Sequence, residues 1–304
     1  MTAHIADRVL REPYEGDVLV RLEKAGRRKR RHRTPAGIAL DVMLVIFGVL
    51  MLSPLVWLIV QSLTVPEFAF ASPPNWLPVP FTLQNFADVV DYMPFFQQFA
   101  NSLVLAVVST GGSLIFSVLA AYAFARIDFR GSRILLVAML SALMVPGQLV
   151  IIPIFIMMRQ LGLIDTLAAL WLPALINVFQ IFFLSQYFRS IPRELDEAAK
   201  IDGAGHFWIL FRMLVPLSGP AIAALAILGF EASWNGYFGP LIFLSSPENM
   251  TLPLGLVTLQ NGFGAAPAVV VFAAITMVVV PLLVVFLAFQ RQIVESVAST
   301  GLKG

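Results

Sequence analysis

The sequence predicts an all-α integral membrane protein: six transmembrane helices, both termini on the cytoplasmic side, and a short cytoplasmic helix between the fourth and fifth spans. Three observations predict it. Hydrophobic residues make up 59% of the 304 residues against 12% charged, with a mean hydropathy of +0.85. That is more apolar surface than a soluble domain can bury. Six regions almost free of charge lie near 38–63, 99–125, 134–158, 168–188, 217–245 and 265–290, each matching the roughly 20 residues that cross a bilayer core about 30 Å thick. Finally, lysine and arginine segregate. Ten of the twenty precede residue 38, and Arg126, Arg130, Arg133, the four from Arg189 to Arg212, Arg291 and Lys303 all fall inside if the N-terminus is cytoplasmic. Only Arg159 falls outside, a strong positive-inside asymmetry.

The elements follow in order. Residues 1–37 form a basic cytoplasmic tail, mixed in charge and poor in apolar residues up to 26, hence expected to be disordered. The run RRKRRHR at 27–33 reads as an orientation anchor, each charge contributing about 1 kcal/mol against anionic headgroups, rather than as a nucleic-acid patch. Nearly forty polar residues before the first apolar run argue against a cleaved signal peptide. The six-span domain covers 38–290 and a cytoplasmic tail 291–304. Strands of an outer-membrane barrel are excluded, because the runs are too long and lack apolar and polar alternation. Prolines at 54, 146, 153, 173, 240 and 281 interrupt the spans and free carbonyls that neighbouring helices or a cavity must cover.

Catalytic chemistry has little to work with. The chain lacks a G-x-x-x-x-G-K-[ST] loop and an H-E-x-x-H pair, has no cysteine, and places His4, His32 and His206 outside the spans. GFGA at 262–265 lacks the third glycine and the preceding strand of a dinucleotide site, and the sequon Asn249-Met250-Thr251 is expected by chance. No catalytic, cofactor-binding or metal-binding residue is predicted.

The most polar interruption is RELDEAAKIDGAGHFWILFRMLVPLSGP, Arg193 to Pro220, within the loop 189–216. Ser190 or the residue after it is expected to cap a helix whose first turn holds Pro192, Glu194, Asp196 and Glu197, as proline tolerance and the helix dipole favour. The helix should run to about Ile201, with Leu195, Ala198, Ala199 and Asp202 on one face. Gly203 and Gly205 then permit positive φ or a close partner, turning the chain into a second helix from His206 to Val215. A solvated connector whose acids merely start a helix is the alternative.

Glu231 has eighteen uncharged residues before it and sixteen after. A lone carboxyl at mid-membrane costs at least about 2.5 kcal/mol and faces a partner or a wet cavity. Trp234 and Asn235 follow at helical spacing, so acid, amide and aromatic are expected on one stripe suited to sugar hydroxyls. Pairing with a neighbouring helix is the competing role.

The stretch EAAKIDGA, Glu197 to Ala204, followed by Phe211, Met213 and Val215-Pro216, resembles the cytoplasmic loop motif of ABC importer permeases, E-A-A-x-x-x-G with I-x-L-P further on. FTLQNF at 81–86, NSL at 101–103, AYAFAR at 121–126, FRG at 129–131, LGLIDT at 161–166 and WNGYFGPL at 234–241 resemble the sugar-importer branch of the maltose-transporter type, from about residue 81 to the end. The resemblance implies a bacterial plasma (inner) membrane permease subunit, paired with a second permease, driven by a cytoplasmic ABC ATPase dimer and fed by an extracytoplasmic solute-binding protein. The chain itself would carry no cofactor, ATP and Mg²⁺ residing on the ATPase, and no nucleic acid would be involved. Glu197, Ala198, Ala199, Asp202, Gly203 and Ala204 are then the ATPase-coupling residues, while Glu231, Trp234 and Asn235 lie along the sugar pathway. The outer loops 64–98 and 246–264, with Glu67, Asp88, Asp91 and Glu248 and no basic residue, are expected to help dock the binding protein. A stand-alone carrier or channel using Glu231 as an ion site is the other class the residues allow.

Overall fold

Backbone polar groups in a hydrocarbon layer must be satisfied within their own segment, so long apolar runs become helices. The computed structural model describes residues 35–69, 76–261 and 266–279. Among these the chain is helical apart from turns and a single antiparallel bridge between Thr64 and Phe81. The basic run 27–33, the GFGA stretch, the tail 291–304 and the end of the sixth predicted span lie outside the described residues.

Contacts divide the chain at Leu55. In the first unit, α1 (Pro35–Ser62) begins, and its side chains from Ile38 to Leu52 are apolar and outward-facing almost throughout, as a lipid-facing helix requires. The second unit takes the last turns of α1, where Trp57 meets Phe272 of α13 (Ala268–Val279) edge to face at 5.4 Å. It continues through α2 (Gln84–Tyr92), α3 (Phe95–Arg126), α4 (Ser132–Ala142), α5 (Gly147–Gln160), α6 (Ala168–Ala174), α7 (Val178–Ser190), α8 (Glu194–Ile201), α9 (His206–Leu217), α10 (Gly219–Trp234), α11 (Phe238–Phe243) and α12 (Leu252–Asn261). At its centre runs α3, packed along α7 and α10.

Three helices, α1, α3 and the 23-residue α6–α7 pair, are long and apolar enough to cross a membrane, or up to five if each bent pair is one span. The span expected at 134–158 is not continuous. It breaks into α4 and α5, which meet at 102°, because Pro146 has no N–H and drives Val145 out of the helical region. The run 217–245 likewise ends early at Trp234. Gly236 follows, where a Cβ would sit 3.1 Å from the Ser233 carbonyl, and α11 starts afresh at Phe238. α9 meets α10 at 78° and contains a π-helical turn over Ile209–Leu214, just before Pro216, which has no N–H to place in a regular ladder.

Candidate functional site

Helix α8 ends at Ile201 as predicted but starts later, at Glu194, with Pro192 outside it. Ser190 is the last residue of α7 and its hydroxyl donates to the Tyr187 carbonyl at 2.7 Å, while Arg193 occupies the cap position without a side-chain bond to the helix's own N–H groups. Glu194, Asp196 and Glu197 in the first turn complement the positive helix end instead. The exit is a two-bond turn: Gly203 N–H donates to Lys200 at 3.0 Å and Ala204 N–H to Ala199 at 2.9 Å, with Gly203 at φ +85°. Only glycine takes that conformation without strain. Gly205, at φ −80°, has ordinary backbone, so one of the two predicted glycines carries the turn.

The face predicted for Leu195, Ala198, Ala199 and Asp202 splits. Ala199 and Ala204 pack inward against a core of Tyr122, Leu184, Phe188, Ile209 and Leu210. Leu195, Glu197, Ala198 and Asp202 point out, beside Ile201, which is 87% exposed. Phe207 and Phe211 stack outside at 6.4 Å, next to exposed Trp208. An exposed apolar patch of this kind flanked by acids marks an interaction surface.

Asp196, noted in the sequence only as a first-turn acid, is buried and ion-paired with Arg126, the last residue of α3. The Arg126 guanidinium also donates to the Ile191 carbonyl at 2.9 Å. Arg189 and Arg193 donate back to the carbonyls of Phe124 and Ala125, covering the open C-terminal carbonyls of α3. Tyr122 Oη lies 2.8 Å from His206 Nδ1. Sequence reasoning counted Arg126 as one more inside charge; its place at the end of AYAFAR was the available signal.

Glu231 and Asn235 do share a face: Asn235 Nδ2 donates to Glu231 Oε1 at 2.8 Å and both are exposed. Trp234 does not join them. It is 1% exposed, stacked on Phe230 and edge-on to Phe99 in the core around Val89 and Met93, because a single helical step of about 100° separates it from Asn235. Behind that helix, a cavity of about 310 Å³ opens between α3, α7 and α10. Ser109, Thr110, Ser113, Asn177, Gln180 and Ser233 set uncharged hydroxyl and amide groups into a wall that is otherwise apolar, with Leu105, Leu170, Ala174 and Pro240. Gln180 accepts from Ser117, and Thr110 Oγ1 is buried without a partner among the described residues. Gly229 leaves room there; a Cβ would come within 3.2 Å of Thr110.

At the far end of α3, Gln98 donates to the Pro247 carbonyl, Asn101 to those of Glu248 and Met250, and Ser102 accepts from Leu252 N–H. The same segment is held by Asp165 of the LGLIDT stretch. Its carboxylate accepts from the N–H groups of Ser245 and Ser246 and from the Ser246 hydroxyl, which hold it well below the usual carboxylate range, the Ser245 N–H foremost. A depressed carboxylate value means the tie is fully present above the ordinary value and is lost only as pH falls through the lowered one. Amide exchange at Ser245 and Ser246 is therefore expected to stay protected at pH 5. Asp165→Ala, which removes a charged acceptor, should speed it about 10- to 100-fold; equal rates in both proteins would refute the latch.

Residues 113–299 match the family described as binding-protein-dependent transport system inner membrane component. The arabinooligosaccharides transport system permease protein AraQ of Halalkalibacterium halodurans is 36% identical over 228 residues, 75% of this chain and 81% of that one. The trehalose/maltose transport system permease protein MalG of Thermococcus litoralis is 32% identical over 276 residues, 88% and 97% of the two chains. Among solved structures, a chain of a bacterial ABC transporter involved in import of the acidic polysaccharide alginate superposes with a TM-score of 0.75 at 28% identity, covering 86% of this chain and 97% of that one. The chain belongs to the binding-protein-dependent transport system inner membrane component family. Its relatives are permeases of sugar ABC transport systems, transport components rather than enzymes.

Proposed function

We propose that this chain is one of the two permease subunits of an ATP-driven, binding-protein-dependent sugar importer. The observation that carries the reading is α8: a short helix with an outward acidic and apolar face, closed by a glycine turn and fastened to a long span, in a chain of this family. Six spans with both termini cytoplasmic, in a bacterial plasma membrane, place that face toward an ATPase dimer that holds the ATP and Mg²⁺. Glu197 pairs with a basic group there, Ala198, Asp202 and Gly203 meet the ATPase surface, and Ala199 and Ala204 seat the helix from behind. Closure of the ATPase dimer then rocks the spans between inward and outward access.

Sugar passes the uncharged cavity, whose largely apolar wall carries a few hydroxyl and amide groups, and the Glu231–Asn235 pair, a combination that suits neutral polyhydroxyl groups through a few placed hydrogen bonds. The carrier alternative, with Glu231 as an ion site, finds no support among the relatives. Glu231→Gln is expected to lower sugar uptake several-fold in an assembly that still hydrolyses ATP; undiminished uptake would remove Glu231 from the pathway. The decisive experiment is gentle solubilisation of the tagged chain followed by mass spectrometry. Co-purification of an ABC ATPase and a second permease is expected. Isolation of the chain alone, transporting in vesicles without ATP, would overturn the reading.

A further inference from the structure

Among the described long spans, α3 alone runs 32 residues without a proline or a break, about 48 Å at the helical rise. α1 contains Pro54, α6 and α7 are separate helices, and the other two candidates are bent pairs. The Gly111–Gly112 pair does not interrupt it; a Cβ on Gly112 would come within 2.4 Å of Leu175 Cδ2, so Gly112 admits a close neighbour rather than a bend. Both ends of this rod are fastened by side chains spaced along single turns. At the C-terminal end, Arg126 holds Asp196 and the Ile191 carbonyl, and Tyr122 reaches His206, so the helices on both sides of the Gly203 turn are tied to it. At the N-terminal end, Gln98, Asn101 and Ser102 hold four backbone groups between Pro247 and Leu252.

We propose that α3 is a strut that carries displacement of α8 to the 247–252 segment on the opposite side, and the reverse, with Arg126 and Asp196 as positioning residues at one joint and Asn101 and Ser102 at the other. The proposal rests on the importer reading, which supplies the ATPase that moves α8. A tied, unbroken helix moves as one body, whereas bent pairs absorb displacement at their breaks. Coupling of this kind is reciprocal: whatever binds the 247–252 segment biases α8 by the same free energy.

The test uses the complete assembly in lipid nanodiscs. This chain has no cysteine, so after Glu248→Cys a maleimide-polyethylene-glycol shift of its own gel band reports position 248 alone. The labelling rate is measured with and without a non-hydrolysable ATP analogue and Mg²⁺. In the otherwise unaltered assembly the analogue is expected to change the rate at least about fivefold, the low end of typical coupling. Asn101→Ala with Ser102→Ala should reduce that ratio to near one, Asp196→Asn should do the same, and joining all three should add nothing. Should Asp196→Asn fail to assemble, Tyr122→Phe, which removes only the hydroxyl at His206, takes its place. A nucleotide response that survives at either altered joint, losses that add, or no response in an assembly that binds the analogue would each overturn the strut. Absence of an ATPase from the assembly would instead overturn the importer reading.

Discussion

Arg126→Ala is expected to prevent accumulation of the folded chain. The substitution strands the buried Asp196 carboxylate and removes the donor to the Ile191 carbonyl. Removing one partner of a buried ion pair costs about 3–5 kcal/mol, because the remaining charge is left in a low-dielectric site. That is a large share of the total stability of a typical fold. Replacing both groups by apolar residues of similar volume, Arg126→Met with Asp196→Leu, removes the stranded charge and should recover much of the loss. Fluorescence-detected size-exclusion profiles of heated membranes, solubilised alike, measure this. A melting temperature unchanged in Arg126→Ala would mean the pair is incidental, and a double variant no better than the single would mean that packing of the arginine stem is what counts.

Glu197→Lys and Gly203→Asp are expected to leave the chain inserted while sugar uptake falls on the order of 100-fold, as a reversed or intruding charge costs several kcal/mol at an interface. The two act differently. Glu197 is exposed and makes no contact that its loss would strand within α8. Gly203 sits at φ +85° with nothing within 4 Å of a built Cβ, so the Cβ of an aspartate there has open space, and its backbone carries the left-handed penalty of about 1–2 kcal/mol. Gly131 is the internal control. It has φ +86° and the same open surroundings, so Gly131→Asp carries an equal backbone penalty away from α8. Uptake lost in Gly203→Asp and kept in Gly131→Asp locates the effect at the docking face. Equal loss in both would assign it to the backbone, and normal uptake in Glu197→Lys and Gly203→Asp together would sink the coupling assignment.

The parts legible in the sequence were those with a local signature. Hydropathy marked the long runs that became α1, α3 and the α6–α7 pair, and acids before small residues before glycine marked α8 and its end at Ile201, though not its start. Hydropathy averages composition over a window and is blind to dihedral angles, so it ran straight through the 102° break at Pro146, where the proline was the only signal, and past the early end at Trp234. Periodicity correctly joined Glu231 to Asn235 and wrongly added Trp234, because the apolar demand of the core outweighs spacing when a large ring is involved. The fasteners were invisible for a different reason. Arg126 and Asp196 are seventy positions apart, and Asp165 and Ser245 eighty; such pairs leave no periodic trace in one sequence, although one partner of each, Arg126 in AYAFAR and Asp165 in LGLIDT, falls in a short motif quoted for resemblance.

Most of the fasteners on α3 grip main chain; the exceptions are the Arg126–Asp196 pair and Tyr122 with His206. Gln98 and Asn101 bind the carbonyls of Pro247, Glu248 and Met250, and Arg126 binds that of Ile191 as well as Asp196. A carbonyl is present whatever residue bears it. The side chains from 247 to 250 are therefore free to vary without loosening the helix beneath them, so the framework can stay the same while the surface it presents changes.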